Sequence, residues 1–168
     1  MDKNQKLLRH IAYSLEILVI FLLSGAPYIL PSILGVKPVL LLPVVLTIAV
    51  FEGEIPAMIY GCVCGVLMDV GFTNDIGYYT IVFTILCFVL GYCASNFFVT
   101  NFVNAMVIGV SSIVALLLVH FFIFSICAGD PEAGTHFIRH YLIRIFYTLL
   151  FLPVFFWFNK LFVTSMKD

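Results

Sequence analysis

Long apolar runs occupy most of this 168-residue sequence, and short polar turns separate them. The runs lack the alternation of polar and apolar residues that marks a transmembrane β-strand. In lipid, backbone N–H and C=O groups have to be satisfied within the protein, which leaves helices or a closed barrel. The sequence therefore predicts membrane-spanning helices. With 63% hydrophobic residues and a formal net charge of −1, it offers no basic surface for nucleic acid.

The predicted fold is an all-α integral membrane protein, a six-transmembrane-helix bundle that forms one polytopic domain over residues 1–168. The expected spans are residues 8–33, 39–51, 55–70, 78–95, 102–128 and 141–163, and the alternative for the first is a helix that Pro27 and Pro31 bend or end early. The second run is shorter than the roughly 20 residues of a usual crossing helix, and it contains Pro43. We expect it to be a short, tilted or broken crossing helix packed within the bundle, with a re-entrant segment as the alternative.

The orientation is predicted from the basic residues Lys3, Lys6 and Arg9, which precede the first apolar run. Basic residues of this kind usually lie on the cytoplasmic side. Six spans then return the chain to the same side, so both termini are expected in the cytoplasm. A cleaved signal peptide is the competing interpretation. Pro27, directly after the candidate cleavage site, and Glu16, within the apolar part, argue against it.

A stripe of small residues lies on the third span, where Ala57, Gly61 and Gly65 are four residues apart. This spacing puts them on one helical face, where small side chains let another helix approach closely in lipid. Gly91 and Ser95 form a similar pair on the fourth span, which a short loop makes an antiparallel neighbour of the third. The stripe is expected either to receive a partner's helix or to pack internally against the fourth or sixth span.

Asp69 closes the third span and precedes a turn over residues 71–77. A carboxylate next to membrane is costly unless another group compensates it. In one interpretation it pairs with Arg144, which should lie at a similar depth near the outer face, so that the pair docks the third helix on the sixth. In the other, Asp69 caps or hydrates the start of the following loop.

Two further ionisable residues, Glu16 and His120, lie within predicted spans. Glu16 is by default a functional candidate that faces the protein interior. Alternatively, its side chain reaches interfacial water or pairs with a basic residue of the amino-terminal tail. A single membrane histidine such as His120 is more often a hydrogen-bonded packing residue than a proton carrier.

No nucleophile stands near a plausible base in a polar setting, and no paired carboxylates mark a cleft, so a non-enzyme without cofactor or metal is predicted. Five cysteines lie within or at the edge of apolar runs: Cys62, Cys64, Cys87, Cys93 and Cys127. Their odd number argues against a disulfide framework and favours buried free thiols. His136 and His140 are four apart but lack a third ligand at a supporting spacing.

The third span reads G-x-x-x-G-x-x-x-D through Gly61, Gly65 and Asp69, and a turn containing Gly77 leads into the fourth helix. With the basic tail and the short second span, this pattern resembles the rod shape-determining protein MreD family, most specifically in residues 53–95. The resemblance implies a non-catalytic component of the bacterial plasma membrane that helps direct cell-wall synthesis. Implied partners are a bitopic MreC-type protein, a RodA-type glycosyltransferase with its transpeptidase, and the MreB filament.

The MreD family is similar in architecture to the substrate-binding subunits of energy-coupling-factor vitamin transporters, which supply a second hypothesis. A pocket would then be roofed by the loops at residues 71–77 and 130–140. Such a subunit is expected to carry small residues at four-residue spacing on its first helix. In this sequence Ala12 is followed by Glu16, and Ser24 by Tyr28. The stripe lies on the third helix instead, which favours a scaffold that binds partner helices.

Overall fold

The computed structural model describes residues 3–26, 39–72, 77–96, 102–123 and 142–165. These residues form six helices: α1 (Lys3–Gly25), α2 (Leu41–Phe51), α3 (Glu54–Gly71), α4 (Tyr78–Asn96), α5 (Phe102–Phe121) and α6 (Leu142–Ser165). The helical fold predicted from the sequence is confirmed. The bounds of α2, α3, α4 and α6 agree with the expected spans to within two residues.

Five helices in the described part of the chain are long and apolar enough to cross a membrane. Their candidate spans are Gln5–Gly25, Glu54–Gly71, Tyr78–Asn96, Val103–Phe121 and Leu142–Thr164. Helix α2 is the shorter apolar helix. The chain therefore has the helices of a multi-pass membrane protein.

Helix α2 forms the centre of the bundle, because every residue from Leu41 to Val50 is buried. It packs against α3, α4, α5 and α6, and more lightly against α1. A helix that is apolar all round belongs in such a position. Its 11 residues extend about 16 Å, roughly half the hydrocarbon thickness. The second apolar run is thus a short helix packed within the bundle; the preceding residues 27–38 lie outside the described residues.

Helix α1 begins earlier than predicted, and it ends before Pro27, as the alternative for this span expected. It starts at Lys3 and stops at Gly25, so Ala26 is no longer helical. Pro27 explains this end, because a proline disfavours helical geometry in the residue before it. The remainder of the predicted first span, residues 27–33, and the end of the fifth, residues 124–128, lie outside the described residues.

Helices α3 and α4 form an antiparallel hairpin and are the most closely packed pair in the described chain. Pro56 lies in the first turn of α3, where a missing backbone N–H breaks no helical hydrogen bond. Helix α6 packs on α2 and α5. Helix α1 lies at the edge of the bundle, with most of its large apolar side chains exposed.

Candidate functional site

The small-residue stripe of α3 faces α4. A Cβ atom added to Gly65 would lie 2.4 Å from Thr80 Cα and 2.7 Å from the Tyr79 carbonyl oxygen. A Cβ atom added to Gly61 would lie 2.7 Å from the Phe83 carbonyl oxygen. Backbone atoms cannot move aside as a flexible side chain can, so only glycine allows the two helices to approach this closely.

Helix α4 contributes a glycine of the same kind to this interface, near the start of α3. A Cβ atom added to Gly91 would lie 2.8 Å from Glu54 Cα and 3.0 Å from Ala57 Cβ. The stripe therefore packs internally against α4, as one of the two interpretations expected. We correct the other interpretation, in which this stripe receives a partner's helix, because α4 already occupies it.

Asp69, at the end of α3, caps the start of α4. Its Oδ1 accepts a hydrogen bond from the Tyr79 backbone N–H at 3.0 Å. Its Oδ2 accepts bonds from Gly77 N–H at 3.2 Å, Thr80 N–H at 3.0 Å and the Thr80 hydroxyl at 2.5 Å. The first N–H groups of a helix have no partner within the helix, and the helix dipole favours a negative charge there. Asp69 is 7% exposed. Its carboxylate thus accepts hydrogen bonds from N–H groups that little water can reach.

Gly77 makes this cap possible, because its φ of +94° is a conformation that glycine adopts at little cost. The predicted pair between Asp69 and Arg144 is not formed: the structure describes both residues and shows no ion pair between them. The reason lies in the helix order, since α3 packs on α2 and α4 whereas α6 packs on α2 and α5. Asp69 is a capping residue, as the other interpretation expected, but it caps the start of α4 and not the start of the loop.

His120, in the last turn of α5, packs on the aromatic rings that begin α4. Its ring centroid lies 5.4 Å from that of Tyr78 and 5.7 Å from that of Tyr79. Tyr79 is also a donor to Asp69. His120 thus covers the capped end of α4, a position that suits a packing residue.

The start of α1 is joined to the bundle by an ion pair that the sequence analysis missed. Arg9 Nε lies 2.6 Å from Glu52 Oε1, and its second guanidinium contact, Nη2 to Oε2, is 2.9 Å. The two side chains are 12% and 5% exposed, and a two-point fork of this kind fixes orientation as well as charge. Next to it, His10 Nδ1 and the Tyr60 hydroxyl are 2.9 Å apart.

A buried polar cluster joins the middle of α1 to α2 and α6. The Asn159 side-chain amide nitrogen donates to Glu16 Oε1 at 3.2 Å, to Thr47 Oγ1 at 3.0 Å and to the Phe155 carbonyl at 3.1 Å. Glu16, Thr47 and Asn159 are 6%, 2% and 0% exposed. The structure therefore places Glu16 in the interior, and among the side chains that it describes, no basic residue of the tail pairs with Glu16. Asn159 and Thr47 were missed, although an uncharged polar residue within an apolar span is a signal for such a bond.

Apolar clefts lie on both sides of α1. One of about 750 Å³ separates it from α3, and one of about 470 Å³ separates it from α6. Between the two clefts, α1 contacts the bundle through the side chains of Tyr13, Ile17 and Ile20, which are buried. Near the end of α1, Phe21 contacts Phe72, with 5.5 Å between the ring centroids. A third cleft, of about 490 Å³, lies between α4 and α5. Helix α1 thus packs on the bundle through one narrow face.

The remaining predicted residues divide into two groups. Cys62, Cys64, Cys87 and Cys93 are free thiols, as expected, and Cys64 and Cys87 are buried. Several other predictions concern residues outside the described part of the chain, namely Cys127, His136, His140 and the loops at 73–76 and 130–140.

Comparison with known proteins gives one consistent result. The sequence model of the family described as rod shape-determining protein MreD matches residues 4–163. Among curated proteins, the chain is similar to the rod shape-determining protein MreD of Bacillus subtilis (strain 168), with 34% identity over 89 residues. That alignment covers 53% of this chain and 49% of the relative, so it spans about half of that protein's length. No solved structure matches the chain.

Proposed function

Because the chain belongs to the MreD family of rod shape-determining proteins, we propose that it is a non-catalytic membrane scaffold of the bacterial cell-elongation machinery. In this role it helps to organise peptidoglycan synthesis through helix–helix contacts with partner proteins. The family match over residues 4–163 is the observation that carries the proposal. The hydrogen bonds and the ion pair of the buried acidic residues support the same proposal.

Each buried acid serves a contact between helices. Asp69 caps α4, Glu52 pairs with Arg9, and Glu16 accepts a bond from Asn159. Bonds of this kind hold helices together in lipid, where the hydrophobic effect between helices is absent. Their arrangement supports a function that depends on packing.

The proposed partners are a bitopic MreC-type protein, a RodA-type glycosyltransferase with its transpeptidase, and the MreB filament. Since α4 fills the glycine stripe, we assign the partner contact to the outer face of α1. There, a row of exposed apolar side chains repeats at alternating spacings of three and four residues: Leu8, Ile11, Leu15, Leu18 and Leu22. This repeat is the one that packs one helix against another in coiled coils.

The proposed location is the bacterial plasma membrane, with the chain crossing several times and both termini in the cytoplasm. The basic residues Lys3, Lys6 and Arg9 before the apolar part of α1 support this orientation. A single cysteine added at either terminus should therefore resist membrane-impermeant thiol reagents in intact cells. Labelling of either cysteine in cells that have not been permeabilised would contradict the proposed orientation.

The vitamin-transporter alternative finds little support in the clefts. A small polar ligand needs a few convergent polar groups in its pocket. Of the lining residues in the described ranges, those with polar side-chain atoms are Ser14 and Tyr60 in the cleft between α1 and α3, and Glu16 in the cleft between α1 and α6. Native mass spectrometry of the purified protein tests this alternative, since a retained vitamin-sized ligand would favour it.

Affinity purification from membranes of the native host tests the scaffold proposal. We expect the tagged protein to co-purify with the MreC-type and RodA-type proteins. With the variant Leu18→Trp, on the outer face of α1, the amount of co-purified partner should fall at least fivefold. Ile85→Trp on α4 is the matched control, since Ile85 is 59% and Leu18 57% exposed. Absence of every cell-elongation protein from the wild-type sample would contradict the proposal.

A further inference from the structure

Among the described residues that line the cleft between α1 and α6, one side chain is ionisable, that of Glu16. Every other lining residue is hydrophobic: Ala12, Leu15, Val19, Ile20, Val154, Phe155, Trp157, Phe158 and Phe162. Glu16 is 6% exposed, so nearly all of its surface is removed from the surroundings. An acid in such a position is costly, and it marks a functional site more often than a structural accident.

Two acceptor atoms at this position lack a donor. Glu16 Oε1 is bonded to the amide nitrogen of Asn159, but Glu16 Oε2 and Asn159 Oδ1 are buried without a hydrogen-bond partner. The amide nitrogen itself is already shared with Thr47 and the Phe155 carbonyl. Buried polar atoms are nearly always satisfied in folded proteins. Of these two residues, Glu16 lines the cleft, so its Oε2 is the acceptor that a donor entering the cleft can serve.

The described part of the chain does not provide this donor as a positive charge. Arg9 is engaged by Glu52. Lys160 follows Asn159 directly, but its side chain is exposed, and none of the described lysines and arginines forms an ion pair with Glu16. A buried carboxylate without a counter-charge is strongly unfavourable.

A lysine ammonium group or an arginine guanidinium carries several N–H donors for this acceptor, together with a positive charge. Glu16 lies seven residues after Arg9, which is about 10 Å along the axis of α1. A lipid headgroup stays at the interface, so a basic group that reaches Glu16 is best supplied by a helix that enters the membrane.

We propose that the cleft between α1 and α6 is the docking site for a transmembrane helix of another protein, and that a lysine or arginine on that helix binds Glu16. A cleft of about 470 Å³ has room for a few side chains. The partner helix therefore lies across the opening and inserts its side chains between Leu15 and Phe158. The inference rests on the proposed scaffold function, because it names the chemistry of one partner contact.

The test uses the full-length protein in liposomes, labelled with a fluorescence donor. The probes are two synthetic single-span peptides with a leucine–alanine core and an acceptor dye. One peptide carries a lysine two turns inside its apolar core, and the other carries leucine at the same position. Energy transfer is titrated at low peptide-to-lipid ratios for the wild type, Glu16→Gln and the control Ser14→Ala. Ser14 lines the cleft on the other side of α1.

We expect the wild type and Ser14→Ala to bind the lysine peptide at least tenfold more tightly than the leucine peptide. Glu16→Gln, which keeps an acceptor for Asn159, should bind both peptides equally. Ala12→Leu, which fills the cleft and leaves Glu16 intact, should also weaken binding of the lysine peptide. Equal binding of both peptides by the wild type, or a preference that persists in Glu16→Gln, would overturn the docking site. Neither result depends on cell shape, so the scaffold function would be judged separately.

Discussion

The Asp69 carboxylate at the end of α3 accepts two hydrogen bonds from Thr80 in the first turn of α4, one from the backbone N–H at 3.0 Å and one from the hydroxyl at 2.5 Å. These bonds close the loop end of the α3–α4 hairpin. Further along, glycines let the helix backbones approach each other. The hairpin is thus held by a charged cap at one end and close packing along its length.

Replacing Asp69 with alanine should destabilise the protein strongly. The change leaves the N–H groups of Gly77, Tyr79 and Thr80 without their acceptor, and we expect a loss of about 2–4 kcal/mol. Thr80→Val removes only the hydroxyl bond and should cost about 1 kcal/mol. Both are measured as free energies of unfolding in mixed micelles. Equal stability of Asp69→Ala and the wild type would contradict the capping role.

Replacing Gly65 with alanine should lower the stability of the protein, whereas replacing Gly25 with alanine should not. The Cβ of Gly65→Ala meets the backbone of Thr80 at 2.4 Å, whereas that of Gly25→Ala meets nothing within 4 Å. We expect Gly65→Ala to cost about 1–3 kcal/mol through overpacking and Gly25→Ala to stay within about 0.5 kcal/mol of the wild type. The midpoint of thermal unfolding in detergent reports the difference. Equal unfolding midpoints for the two variants would contradict the close contact between α3 and α4.

The ion pair between Arg9 and Glu52 predicts a charge-swap rescue. Arg9→Ala leaves the 5% exposed Glu52 without its counter-charge, and about 3 kcal/mol should be lost. The swap Arg9→Glu with Glu52→Arg should recover about half of that loss. Lys6→Ala, one turn earlier on an exposed position, is the control and should change little. Unfolding free energies give the comparison, and a swap no better than the single changes argues against the pair.

The cluster of Glu16 and Asn159 should show coupling between the two positions. Asn159→Ala leaves Glu16 Oε1 and Thr47 without a shared donor and should cost about 1–3 kcal/mol. In a Glu16→Leu background the same change should cost about 1 kcal/mol less, since contacting residues are not additive. The four variants form a double-mutant cycle by unfolding in micelles. Strict additivity would mean that the two side chains do not interact.

Helix positions were largely predictable from the sequence, because apolar runs and the breaks between them are local signals. The third span was expected at residues 55–70 and is Glu54–Gly71. The break at Glu52 and Gly53 and the proline at position 56 mark its start. The end of α1 before Pro27 was one of two alternatives, because the apolar run continues past the proline. Hydropathy alone does not report backbone geometry.

The partners of polar residues were less predictable, because they depend on which helices are neighbours. Asp69 and Arg144 were paired on expected depth, but the donors of Asp69 lie eight to eleven residues away, at Gly77 and in the first turn of α4. Asp69 instead accepts bonds from the start of α4, where the first N–H groups have no acceptor within the helix. Glu16 and Asn159 are 143 residues apart, and no spacing rule connects them. The glycine pattern of the hairpin, by contrast, was visible in the sequence.

The measurement that tests the account most directly is cell width in the native host after depletion of this protein. A scaffold of the elongation machinery should be needed for rod shape, so we expect depleted cells to widen and become round. A plasmid copy of the wild type should restore the rods, and a copy of Gly65→Leu, whose side chain meets the Thr80 backbone, should not. Depleted cells that keep their normal width and growth rate would contradict the account.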